Sequence, residues 1–276
     1  MRGQCMAGGA AMARTGSEDT LAQGSFVRVL RAEALKSRHG APVRLAIVLA
    51  LPFPLLAAFV ALSVPQFGLS YSPWNYWYAL LMPVSITLIA ATVANADARL
   101  GNHTLLSSGV PLHLAWGAKV AWCLALLLLS NLVVFAVYAV MSLVVPQGAA
   151  SMSAMLAVAL ALTVMGSWMI PATHFLTMRV GMLAGVFVPL AVQLALSLGW
   201  SVVPFWPACP PAATIVLPTA FLPVLPSGEP ASPGMALVES ISQGPDVALA
   251  LIVAAVLTAA LTAAGAVWLD RSEELR

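Results

Sequence analysis

Between Leu45 and Met178 the only formal charges are Asp97, Arg99 and Lys119, and they bracket the stretch DARLGNHTLLSSGVPLHLAWGAK. A carboxylate and two bases at the ends of a polar connection suit charge-assisted contact with another protein surface, which is recognition rather than bond-making chemistry. The sequence has no GxxxxGKS/T phosphate loop, no HExxH metal pair and no GxSxG nucleophile turn. Cys5, Cys123 and Cys209 stand far apart, without CxxC spacing or a nearby histidine pair, so neither a disulfide framework nor a metal site is indicated. No residue takes a catalytic role.

The elements that must carry these residues are apolar. Hydrophobic residues make up 61% of the 276-residue chain and charged ones 8%, against roughly 45–50% and 25% in a soluble domain. The apolar runs are about 20 to 30 residues long without strict alternation, which selects spanning helices over the roughly ten-residue strands of an outer-membrane barrel. The expected fold is an all-α integral membrane protein with spans at 43–64, 76–96, 116–145, 152–178, 180–203 and 246–269. A charge at a span centre costs about 2.5–3.5 kcal/mol, so residues 97–119 must return to water as a loop. Pro111 is tolerated in the first turn of a helix, and residues 112–116 can form one or two turns leading into the third span. Such a displayed helix would serve as a docking peg for a soluble partner; the plainer reading is an ordinary connecting loop.

Residues 1–24 are Gly/Ala-rich and polar and lack the apolar core of a signal peptide, so a disordered tail is expected. Residues 25–40 follow as an amphipathic helix. At about 100° per residue, Phe26, Val27, Val29, Leu30 and Ala34 share one arc and Arg28, Arg31, Arg38 and His39 the other. That pattern suits a helix lying in the headgroup layer. Glu33 is a carboxylate on the apolar arc; it is expected to pair with Lys36 three residues on, the alternative being a protein partner. Pro52 and Pro54 favour a kink in the first span, and GMLAG at 181–185 has the GxxxG spacing that lets helices approach closely. Ten of the twenty prolines fall between 202 and 245. An apolar segment broken this often reads as a re-entrant piece held against other helices, or as a loose external loop.

All twelve Lys and Arg residues lie in the N-terminal segment, the 97–119 stretch, the turn at Arg179 or the C-terminal tail (270–276). Lys/Arg bias sets orientation, so both termini and the central loop are expected on the cytoplasmic side. Segregation of charge by topology leaves no extended basic face for nucleic acid. The deepest polar side chains, Asn131, His174 and Gln193, could mark a transport path or simply bond helices together. A proton- or sodium-driven carrier usually needs an acidic group at mid-membrane, and none stands there.

The order FVRVLRAEALKSR, kinked span, NYWYALLMP, span, DARLGNHTLLSSGVPLHLAWGAK resembles the permease subunits of lantibiotic-immunity ABC transporters, within the type-2 ABC exporter group. Its specific marks are Glu33 and Lys36, then Asn75 with Trp77, Tyr78 and Pro83, then Asp97 and Arg99 followed by His103-Thr104-Leu105-Leu106. The resemblance runs from Phe26 to the C-terminus. It implies a dimeric export channel in the bacterial cytoplasmic membrane, in which Arg28, Arg31, Glu33, Lys36 and Arg38 belong to a connecting helix. It also implies that Asp97, Arg99, His103, Leu105, Leu106, Pro111 and His113 seat a separate ATPase subunit, which would bind ATP and Mg while this chain binds no cofactor. The cargo implied is a bacteriocin-like amphiphilic peptide or a lipid-like compound. A non-transporting membrane scaffold or sensor is the alternative.

Overall fold

The structure, a computed structural model, describes residues 26–38, 40–98, 111–232, 234–242 and 245–274. Arg99, His103, Leu105 and Leu106 lie outside the described residues, as do residues 1–25. Regular structure among the described residues is helical, without strands. Five stretches are long and apolar enough to cross a membrane: Ala41–Ser63, Ser72–Ala96, Leu112–Val144, Met152–Arg179 and Asp246–Arg271. The stretch expected as a span at 180–203 forms a shorter apolar helix, Met182–Leu198. At 1.5 Å per residue it is about 26 Å long, short of the roughly 30 Å hydrocarbon core. Two glycines set its limits: Gly181, at φ 122°, precedes it and Gly199 ends it.

Proline breaks several of these stretches, and the chain supplies a substitute partner or a wider turn at each break. The first consists of α2 (Ala41–Val48) and α3 (Pro52–Ser63). Before Pro52 the N–H of Ala50 bonds to Ile47, and the Ala46 carbonyl accepts from Ser130 Oγ at 2.9 Å instead. The second begins with α4 (Ser72–Tyr76), widens into a π turn over Trp77–Leu81 and continues as α5 (Met82–Ala98). The wide turn makes room for the ring of Pro83, which would otherwise press on the preceding turn. The third is the unbroken α6 (Leu112–Val144). The fourth divides at Ser167–Trp168, ahead of Pro171, into α7 (Met152–Gly166) and α8 (Met169–Arg179). Then come α9 (Met182–Leu198), a short α10 (Pro210–Val216), α11 (Ala236–Ser242) and α12 (Asp246–Glu274).

Helix α5 is the centre of the bundle, packed against α2, α6, α8 and α9. Close approach is achieved by removing side chains. A Cβ at Gly166 would stand 2.7 Å from Ile86 on α5, and one at Gly185 would overlap Thr177 on α8. The two glycines of GMLAG therefore divide the work: Gly181 makes the turn and Gly185 the crossing. The proline-rich region is not uniformly a loose loop. Residues 210–219 are buried, with α10 packed against α7, α9 and α12, while residues 223–231 fold into a small turn closed by the Val224–Pro230 bridge.

At the end of the bundle away from the basic residues, Tyr71, Trp74 and Tyr138 stack, with ring centroids 4.6 to 6.2 Å apart. Tyr71 Oη accepts the Ala150 N–H at 2.7 Å. Burial pushes its phenol above the usual value, and that hydrogen bond pulls less strongly the other way. Gly68, at φ 66°, lets Leu69 N–H reach the Gln147 carbonyl at 2.8 Å, and a Cβ there would lie 2.6 Å from that oxygen. Gly68→Ala is expected to cost about 1–3 kcal/mol, read as a lower thermal unfolding midpoint of the purified protein in detergent.

Candidate functional site at the charged end

The opposite end gathers the basic residues. Helix α1, residues 26–37, turns Phe26, Val29, Leu30, Glu33, Ala34 and Ser37 toward the bundle and exposes Arg28, Arg31, Lys36 and, just beyond it, Arg38. The 3.6-residue period was sufficient to find this helix, but the covered face is narrower than expected, since Val27 is exposed with the bases. The apolar arc lies on protein: Phe26 packs over Gly117 at the start of α6.

Glu33 is on that covered face because its partner is there. Its Oε1 stands 3.0 Å from Lys119 Nζ, with the two side chains only 12% and 5% exposed. This corrects two expectations. The partner of Glu33 is Lys119 rather than Lys36, and Lys119 is a buried residue inside α6 rather than the water-facing end of a loop. The connection between these two helices spans fewer residues than 97–119, because α5 runs to Ala98 and α6 begins at Leu112. Pro111 is the cap preceding α6 rather than a first-turn residue, and its carbonyl accepts from Leu114 and Ala115. Asp97 belongs to the last turn of α5.

Other contacts bring helix ends to the same place. Asn95 on α5 donates toward Met182 Sδ on α9 at 3.5 Å, and His113 Nδ1 lies 3.6 Å from Asp270 Oδ2 at the end of α12. A cavity of about 260 Å³ lies among α1, the start of α2, the last turns of α5 and Met182; Glu33, Lys36, Ser37, Thr92 and Asn95 give it its polar lining. Just above, Trp116 donates from Nε1 to the Thr262 carbonyl at 3.0 Å, and its ring fills the notch left by Gly265. Among the described residues no group of three or more His, Cys, Asp or Glu could hold a metal ion. The arrangement supplies charge, a pocket and mechanical linkage between helix ends.

The three deep polar residues have separate surroundings. Asn131 Oδ1 accepts from Trp77 Nε1 at 3.1 Å and its Nδ2 donates to Thr163 Oγ1 at 3.0 Å, joining three spans. His174 is fully buried, with Nδ1 2.9 Å from the Ile170 carbonyl and Nε2 4.0 Å from Cys123 Sγ. Gln193 Nε2 reaches the Pro211 carbonyl at 3.5 Å, while its Oε1 has no partner. No two of the three share a partner, so they do not form one continuous polar track. Sequence reasoning missed Lys119 as a pair-former, Asn95 and Gly265. The one signal in the sequence was the misplaced carboxylate of Glu33, which required a cation on whatever it covered.

No family model, curated protein or solved structure matches the chain.

Breaking a buried ion pair by removing one partner costs about 3–5 kcal/mol. Glu33→Gln and Lys119→Met should each lower the thermal midpoint in detergent, and the exchanged pair E33K/K119E should recover most of the loss. If both single variants melt with the wild type, the pair is not a structural tie. Asn131→Leu should cost about 1–2 kcal/mol in the same assay.

Proposed function

We propose that this chain is the membrane-spanning permease subunit of an ATP-driven exporter of the type-2 ABC group. It removes an amphiphilic peptide of the bacteriocin type, or a lipid-like compound, from the bacterial cytoplasmic membrane. The observation that carries this reading is the attachment of a basic, surface-lying helix to the base of the third span through Glu33 and Lys119. That attachment adjoins the connection between α5 and α6, where the resemblance puts the seat of the ATPase. A helix so fastened has an evident mechanical use: force applied by a soluble partner to the connection or to the helix reaches the spans without first being absorbed by a loose joint.

In this reading Met182–Leu198 counts as the fifth of six spans, its short length made up by bilayer thinning or by its neighbours. Residues 210–219 are then the re-entrant element. The basic end faces the cytoplasm by the Lys/Arg rule, with both termini on that side. A second permease chain completes the channel; α12, with only 11% of its most apolar window buried, has surface to spare for it or for lipid. Nucleotide and Mg belong to the partner ATPase. Closure of that partner would press on residues 97–119 and on α1, and the bundle would follow as rigid bodies.

Affinity purification of the tagged full chain in mild detergent, followed by mass spectrometry, tests this directly. A stoichiometric phosphate-loop ATPase is expected. Asp97→Ala and Arg99→Ala should weaken its recovery, with about 2 kcal/mol of docking energy lost if either is a hot spot, while membrane insertion is unchanged. Recovery of the chain alone, under conditions that keep a known transporter complex together, would favour a scaffold or sensor instead.

A further inference from the structure

A second cavity lies at the end away from the basic residues, where the start of the second span, the end of α9 and the proline-rich region meet. Its volume is about 230 Å³. The deep wall contains Asn75 and Ser197, both buried, with Ala79 and Ile215 beside them. Its mouth is different in kind: Tyr76, Leu80 and Leu198 line it and are exposed large apolar side chains on helices apolar enough to meet lipid. Ser227, also exposed, stands at the rim, and no lining residue carries a charge. The cavity thus places two buried polar side chains behind an opening lined mainly by apolar ones.

Several features keep it open. The wide π turn over Trp77–Leu81 supplies Ala79 and Leu80 to one wall. Asn75 Nδ2 donates to Tyr78 Oη at 2.8 Å and lies 3.3 and 3.4 Å from the Leu225 and Pro226 carbonyls, fixing the rim turn to the helix start. The inward stripe of α9, Gly185, Pro189, Gln193 and Ser197, contains no Val, Leu or Ile. One turn from Ser197 on that stripe, the buried Gln193 Oε1 has no hydrogen-bond partner.

We infer that this cavity is a lateral binding site for an amphiphile with an uncharged, hydrogen-bonding head group, taken up from the membrane with its acyl chain left outside. The volume is below the roughly 300–1,000 Å³ of pockets that enclose a whole drug-sized ligand, so a head fits and a chain does not. Hydroxyl or amide groups can meet the Asn75, Ser197 and Ser227 side chains. A phosphate or ammonium would be buried without a counter-charge, which is strongly unfavourable. The site needs only that the second span and α9 face lipid, so it stands apart from the docking of an ATPase.

The test uses the full chain in phosphatidylcholine nanodiscs with a diazirine-bearing monopalmitoylglycerol, against the lysophosphatidic acid of the same chain. The glyceride should label residues 76–80 and 198–200 at least about tenfold more than the phosphate, a difference equivalent to about 1.4 kcal/mol. Ser227→Trp, at an exposed position, should cover the mouth and suppress labelling while the thermal midpoint stays that of the wild type. Ser197→Val should weaken it about three- to tenfold by removing one hydrogen-bonding group. Equal labelling by the two probes, labelling spread over all lipid-facing helices, or labelling indifferent to both substitutions would overturn the assignment. An uncharged glyceride extracted with the purified chain would identify a resident lipid; labelling without one would identify a visiting amphiphile.

Discussion

A carboxamide at position 131 is the interaction on which the bundle turns. With one oxygen and one nitrogen it holds the Trp77 indole and the Thr163 hydroxyl, so three spans meet at one side chain. Apolar packing alone discriminates poorly between rotational settings of helices in a lipid-like surrounding, where the outside is as apolar as the interface. A polar node with two directed bonds does discriminate. The setting it selects brings the π turn that carries Trp77 against the middle of α6, and around it the aromatic cluster and the glycine crossings are consistent with one another.

The same constraint governs the breaks. Backbone groups in a water-free layer need internal partners, and each proline takes one donor away. Ahead of Pro52, Ser130 bonds the Ala46 carbonyl that the Ala50 N–H leaves for Ile47, and ahead of Pro83 the backbone widens into a π turn. Ser167 stands at a third break. Near the step in the fourth stretch its hydroxyl accompanies the chain, 2.7 Å from the Val164 carbonyl and 2.6 Å from Thr258 Oγ1, so the step is also where α12 is attached. Kinks and contacts between helices are therefore the same places, rather than flexible points between rigid rods.

Much of this was legible in the residues. Apolar run length located the long helices, because hydropathy over twenty residues needs no tertiary information. The amphipathic period found α1, and proline density marked 202–245 as irregular. What could not be read was pairing across long sequence distances. Glu33 and Lys119 are both unusual for their positions, and each could be explained locally: Glu33 by Lys36 one turn on, and Lys119 by assignment to a loop. Only the path of the chain shows that each resolves the other. The 180–203 stretch forms a shorter helix than its hydropathy suggests for a simpler reason: the apolar run continues through Gly181 and Gly199, where helical geometry does not. Of the proposed docking residues, Arg99, His103, Leu105 and Leu106 lie outside the described residues, whereas Pro111 and His113 belong to the start of α6.

The notch at Gly265 has a bearing on how α12 can move. Trp116 occupies the space of a missing side chain, with its N–H on the Thr262 carbonyl one turn away, and the residues on either side of the glycine are alanines. Advancing α12 by one residue along its axis would drive a methyl group into the indole, so sliding is blocked in both directions. The long helix is thus keyed in register near its C-terminal end by the indole, and fastened again at Thr258 to the step in the fourth stretch.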